Sequence, residues 1–176
     1  ERLRAYYRTE GGVDKRHPVS IHKLVNDAAS LARARLMERT QAVGISIDLK
    51  VDVPHDATLH CNGAELRQAL VNLLINAFDA MNCDGEVQIS AVPVGHEVRI
   101  KVRDSGVGMD PVTLAQCQDA FFTTKGDGGT GLGLAMVSST IKGHGGTLNV
   151  ESRLDHGTTI SLQLPLDGSG GVSERE

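Results

Sequence analysis

The chain has no tryptophan, three phenylalanines and two tyrosines among its 176 residues. With aromatics at 3% and apolar residues at 40%, Leu, Ile, Val and Ala must supply the core. Cysteine is also scarce. Cys61, Cys83 and Cys117 are odd in number and far apart, which excludes a disulfide framework and a C-x-x-C metal site and suits a reducing compartment. No apolar run approaches the ~18–20 residues of a membrane span, and Glu1-Arg2-Leu3-Arg4 does not open like a signal peptide. A basic excess is missing too. Eighteen Lys+Arg face 22 Asp+Glu, a net charge of −4, whereas general nucleic-acid binding needs a basic face. What is present is the length of one domain, able to bury roughly 68–70% of its unfolded surface.

Residues 1–8 read as a scrap of helix without its partner and Thr9 to Pro18 as a linker, so that 1–18 precede the domain proper at 19–166. From Ser20, an N-cap residue type, Ile21, Leu24, Val25, Ala28, Leu31, Ala32 and Leu36 recur at helical spacing, and Gly44 ends the segment. Ile45, Ile47, Leu49 and Val51 then alternate as a half-buried strand. A second helix is predicted from Asn62, with Glu65 completing a capping-box-like start, to about Met81. After a turn at Asp84-Gly85, strands at Glu86–Val92 and Glu97–Arg103 form a hairpin. Pro111 suits the first turn of a short helix. Residues 120–131 read as a loop, about 132–142 as a helix, and Thr147–Ser152 with Thr158–Leu164 as a second hairpin. From Asp167 the composition is that of a disordered tail, 167–176. The sum is an α/β two-layer sandwich: a mixed, mostly antiparallel sheet of about five strands with helices on one face.

Four stretches concentrate the chemistry. In the first, Asn72, Asn76 and Asp79 stand at i, i+4 and i+7, on one helix face beside the apolar stripe Leu66, Leu70, Leu73 and Ala77. Such a polar stripe is ordinarily a solvated face. Asparagine is a mediocre helix former, however, and its amide oxygen suits one or two vertices of an octahedral Mg²⁺ shell completed by phosphates and water. In the second, Asp104-Ser-Gly106-Val-Gly108-Met109 follows a strand. It is either a plain strand-end turn or a carboxylate accepting from a base amino group, with glycines that let backbone approach a flat ring. The third is Phe121-Phe122-Thr123-Thr124-Lys125, apolar residues leading into hydroxyls and a cation. The fourth, Gly126-Asp-Gly128-Gly129-Thr130-Gly131-Leu132-Gly133-Leu134, runs into a helix, where backbone N–H groups can meet phosphate oxygens. It fits neither the Gly-Lys-[Ser/Thr] nor the G-x-G-x-x-G fingerprint, and glycine loops also serve as hinges.

Taken in order, these stretches resemble the N, G1, F and G2 boxes of the catalytic ATP-binding domain of sensor histidine kinases, a Bergerat (GHKL) fold. The resemblance covers roughly residues 19–166, and the ending Gly157-Thr158-Thr-Ile-Ser-Leu-Gln-Leu-Pro165 is similar to the family's closing strand. The wording of the N and F boxes is similar to the nitrogen-regulator and oxygen-sensor subgroup, except that Ala120 stands where that subgroup often has Pro.

The resemblance implies ATP and Mg²⁺ as cofactors, with Asn76 as metal ligand and Asn72 assisting around the phosphates. It implies that Asp104 holds the adenine amino group over a floor of Gly106 and Gly108, with Thr158 supporting that contact through water. Asp79, Met109, Phe122, Thr123, Thr124, Thr130, Leu132 and Leu134 would complete the ATP site, Gly131 and Gly133 would close a lid packed by Phe121-Phe122, and Lys125 would be a nearby catalytic cation. The reaction implied is γ-phosphoryl transfer to a histidine, mostly by positioning and charge neutralisation. That histidine belongs to a separate dimerisation domain. His96-Glu97 and His55-Asp56 match only the first two letters of its setting, and His17, His22, His60, His144 and His156 not even those. Partners are then the dimerisation domain and a response-regulator receiver, with no nucleic acid, in the cytoplasm or on its membrane face. The fragment would be monomeric and the full-length protein a homodimer. Related ATPases carry Glu where this chain has Asn72. An amide cannot take a proton from water, which disfavours a hydrolase. A nucleotide-binding pseudokinase or an anti-sigma serine kinase would also share this fold.

Overall fold

A computed structural model describes residues 16–124 and 130–167. Strand β1 (His17–Ser20) runs directly into helix α1 (Ile21–Val43). Ser20 caps α1 as its type predicts, its hydroxyl accepting from Lys23 N at 3.1 Å and donating to Asp56. Asp56 also accepts from His22 N, and that backbone donor holds its carboxyl below the ordinary range. The helix ends at Gly44, also as predicted. Next come β2 (Ile47–Asp52), β3 (Thr58–Cys61) and helix α2 (Gly63–Asp79). Asn62 caps α2 through its side chain, which accepts from Glu65 N. The helix stops at Asp79, with Ala80 as its C-cap, slightly short of the Met81 expected.

The remaining elements are β4 (Gly85–Val94), β5 (Glu97–Asp104), α3 (Pro111–Gln116), α4 (Gly133–Gly143), β6 (Thr147–Ser152) and β7 (Thr158–Pro165). Five strands form one sheet in the order β2-β4-β5-β7-β6. Only the β2–β4 pair is parallel, because the chain crosses through β3 and α2 between them. Period-2 alternation gives β5 and β7 a buried face of Val98, Ile100, Val102, Ile160, Leu162 and Leu164. The stripe of α2 (Leu66, Leu70, Leu73, Phe78) and that of α1 (Leu24, Val25, Ala28, Ala32) belong to the same core. The two-layer, mixed-sheet expectation holds.

The short pair β1–β3 has no counterpart in the sequence pattern. His17 and Pro18 pair with Cys61 and His60, so those two residues are strand rather than linker. Asp84-Gly85 is corrected as well, since Gly85 already belongs to β4. The helix expected at 1–8, most of the linker and most of the tail lie outside the described residues.

His144 fastens α4 to α2. Its Nε2 accepts from Asn62 N at 3.1 Å, and its Nδ1–H donates to Thr140 O at 2.8 Å, an arrangement that suits the neutral ring. The side chain is buried. His144→Ala should therefore cost about 2–4 kcal/mol in a urea melt, from a cavity and an orphaned amide. An unchanged midpoint would remove this bridge from the account.

Candidate functional site

The end of β5 places Asp104 inside the rim of the sheet, only 7% exposed. Its Oδ1 accepts from Gly106 N at 2.9 Å and from Thr158 N at 3.2 Å. Oδ2 accepts from none of the described residues, which leaves it as the carboxylate's outward acceptor. Burial pushes the carboxyl above its ordinary range, while the two backbone donors pull the other way. Thr158 thus supports Asp104 directly through its main chain, and its hydroxyl is engaged with Ser152 Oγ at 2.9 Å.

The segment after Asp104 is clamped from both sides. Val107 N donates to Ala80 O at 3.0 Å, and a Cβ on Gly106 would lie 2.5 Å from that same oxygen. From the β6–β7 turn, Asp155 N donates to Val107 O at 2.7 Å. Gly108 has φ +63°, and a Cβ there would lie 2.0 Å from Arg153 O. Backbone therefore passes where no side chain fits. Met109 follows, half-buried.

Asn72, Asn76 and Asp79 are all half-buried on α2. Gln68 Nε2 donates to Asn72 Oδ1 at 3.1 Å. A Cβ on Gly133 would lie 3.6 Å from Asn76 Nδ2 and 3.9 Å from Oδ1, so the lack of a side chain at Gly133 leaves room beside this amide. Gly133 is also the first residue of α4. Leu132 precedes it as N-cap and gives no side-chain capping bond, and helix N-termini of this kind suit anionic acceptors. Thr130 Oγ1 lies 3.5 Å from Leu132 N. Gly131, at φ +64°, packs on the Phe121 backbone, and Phe121 N donates to Gly131 O at 2.9 Å. Phe121 itself is 64% exposed with φ +71°, so it does not pack into the core. Phe122, Thr123 and Leu134 are half-buried and Thr124 exposed. Lys125, like the glycines to 129, lies outside the described residues.

Sequence reasoning missed the fastening of this site. Arg39 Nη2, from α1, donates to Met81 O at 2.7 Å, Asn82 Oδ1 at 3.0 Å and Asp79 O at 3.3 Å. It closes the end of α2, where a cation also meets the negative pole of the helix. Arg35 Nη2 pairs with Asp79 Oδ1 at 3.1 Å, and that charge chiefly raises the guanidinium's pKa. Asp79 therefore has a partner inside the protein. Such contacts between helices leave no periodic trace in a sequence. Ser152 and Gly157 were also unassigned, although a glycine before Thr158 is itself a tight-turn signal. Among the described residues no three His, Cys, Asp or Glu side chains cluster as a metal cage, and no helix is long and apolar enough to cross a membrane.

Helices on one face of a mixed five-stranded sheet are the fold of histidine-kinase catalytic domains such as that of ThkA. Residues 61–168 match the family described as "Histidine kinase-, DNA gyrase B-, and HSP90-like ATPase", and the chain belongs to it. It is 32% identical over 123 residues to sporulation kinase B of Bacillus subtilis (strain 168), covering 69% of this chain and 28% of that protein. It is 41% identical over 102 residues to sensor histidine kinase ZraS of Escherichia coli (strain K12), covering 58% and 22%. The structure of full-length ShkA in complex with AMPPNP aligns at TM-score 0.72 and 32% identity, over 85% of this chain and 31% of that one. The chain thus spans less than a third of the length of these relatives.

Two substitutions probe the rim. Asp104→Asn keeps an Oδ1 for both backbone donors and removes a buried charge. Because the carboxyl is raised in the folded state, its ionised form costs stability at neutral pH, and this cost fades as pH falls through its folded titration. The variant should be at least as stable as the parent at pH 7 in urea, yet bind ATP more weakly by calorimetry. Lower stability would contradict the charge argument. Gly108→Ala should cost about 2 kcal/mol or more, from both φ and overlap with Arg153 O. A parental melting temperature would show that the clamp yields.

Proposed function

We propose that this domain transfers the γ-phosphoryl of ATP to a histidine on a separate helical dimerisation domain, for relay to a response-regulator receiver. The observation that carries the reading is Asp104, a buried carboxylate whose Oδ1 accepts from two amides while Oδ2 accepts from none of the described residues. An exocyclic amino N–H of adenine is the donor that such an acceptor selects. Gly106, Gly108 and Met109 floor the base, and Thr158 holds Asp104 in place. The first amides of α4 at Gly133 and Leu134, with Gly131, Leu132, Thr130 and Phe122 to Lys125, receive the phosphates. Asp79 contributes by keeping the end of α2 in register through Arg35.

The residues present suit a metal that arrives with the nucleotide. Asn76 offers one neutral oxygen beside the α4 N-terminus, and the described residues build no carboxylate cage, as befits Mg²⁺ held largely by phosphate and water. When bound, Mg²⁺ neutralises phosphate charge. Asn76 orients that charge, Asn72 contacts it, and Lys125 adds a cation. Asn72 provides no general base, so water is not activated and phosphoryl transfer is favoured over hydrolysis. We assign the catalytic unit to 19–166 extended by the His17–Ser20 strand, on the cytoplasmic side of the cell. Within the full protein it acts as part of a homodimer built by the helical domain.

Calorimetry with Mg-ATP tests this reading. Saturable binding without continuing heat is expected, and adding a histidine-bearing dimerisation domain should start phosphotransfer. Steady turnover by the domain alone would favour an ATPase, and binding without phosphotransfer to the added dimerisation domain a nucleotide-binding pseudokinase. Asn76→Ala should abolish the Mg²⁺-dependent part of binding while a urea melt stays cooperative. A folded variant with parental Mg-ATP affinity would overturn the metal assignment.

A further inference from the structure

The helices cover one face of the five-stranded sheet, and the other face carries an unusual line of charge. Along β5, the central strand, Arg99, Lys101 and Arg103 alternate with the buried Val98, Ile100 and Val102 and are exposed. Same-side residues on a strand stand about 6.7 Å apart, so three cations follow one another over roughly 13 Å. Like charges at that spacing repel, and the acids Asp52 and Glu151 share this face only two strands away, beyond Ser90 and Thr159. Arg99 lies between Val92 and Gln163, Lys101 between Ser90 and Ser161, Arg103 between Gln88 and Thr159. None of these neighbours is acidic. Among the described residues no carboxylate pairs with any of the three, Glu97 on the same strand included. Glu86 on this face is already taken by Lys50. All this occurs in a chain whose acids outnumber its bases.

The line ends in an open cavity of about 590 Å³, where Arg153 and His156 join Lys101 and Arg103 over Gln88 and Ser90. Glu151 is the one carboxylate on its wall, and Asn149 donates to it. Apart from the His156 imidazole, no aromatic and no large apolar side chain lines this cavity. A line of cations flanked by short hydroxyls and amides, longer than a single phosphate, matches carboxylates presented along a chain.

We propose that the uncovered sheet face is a docking site for an acidic protein segment, its carboxylates seated over Arg99, Lys101 and Arg103 and its end directed toward Arg153. An extended segment with an acid at every second residue repeats at the same interval as the cations. The site lies on the reverse of the sheet from the helices and stands independently of the nucleotide chemistry.

The test is fluorescence anisotropy with a labelled alternating Glu-Gly decapeptide, an alternating Gln-Gly peptide as control, and inorganic pyrophosphate as competitor. The Glu-Gly peptide should bind, the Gln-Gly peptide should not, and affinity should fall as salt rises. The triple variant Arg99→Gln, Lys101→Gln, Arg103→Gln should lose roughly tenfold or more, as three partly screened pairs would give. The charge-keeping variant Arg99→Lys, Arg103→Lys should restore most of the affinity. Parental Mg-ATP binding in both variants would show that the fold is intact. Binding unaffected by the triple substitution, absent even at low salt, or displaced by equimolar pyrophosphate would each overturn the proposal, the last in favour of a compact-anion site.

Discussion

The carbonyl oxygen of Ala80 is the point on which the ligand side of this molecule is assembled. It belongs to the C-cap residue of α2, accepts from Val107 N, and lies so near Gly106 that a side-chain carbon there would overlap it. Arg39 grips the carbonyls on either side, at Asp79 and Met81. A helix end normally leaves carbonyls to water. Here they are spent on a guanidinium from α1 and on the backbone at Val107. The position of that backbone is therefore set by how α1 lies on α2, as much as by the loop's own glycines.

This arrangement gives α1 two tasks. Its buried stripe fills the core beside α2, and its polar side holds Arg35 and Arg39 against the same helix end. A displacement of α1 would reach the Val107 backbone through a few hydrogen bonds rather than through the core at large.

Most elements were legible because their signals are local. Ser20, Asn62 and Asp110 cap the helices they precede, Gly44 ends one, and alternation marks the five strands of the sheet. The order of the asparagines, Asp104, the phenylalanines and the glycines resembled a known family closely enough to name the family and its fold. What could not be read was long-range. The β1–β3 pair joins residues some forty positions apart with little hydrophobic pattern, Arg39 has no motif, and the Asp104–Thr158 amide contact spans 54 positions. That the Thr158 main chain itself reaches the carboxylate follows from strand register, which no local signal sets.

That 54-residue separation has a kinetic side. The β4–β5 hairpin can form early, since its turn is short, but β5 meets β7 only when the rest of the chain has been made and folded back. Until then Asp104 has neither its second amide donor nor the β6–β7 turn that presses on the glycine floor. The end of β5 is thus unfinished until the last strand docks, and any ligand that binds the finished fold favours it over every partly folded form.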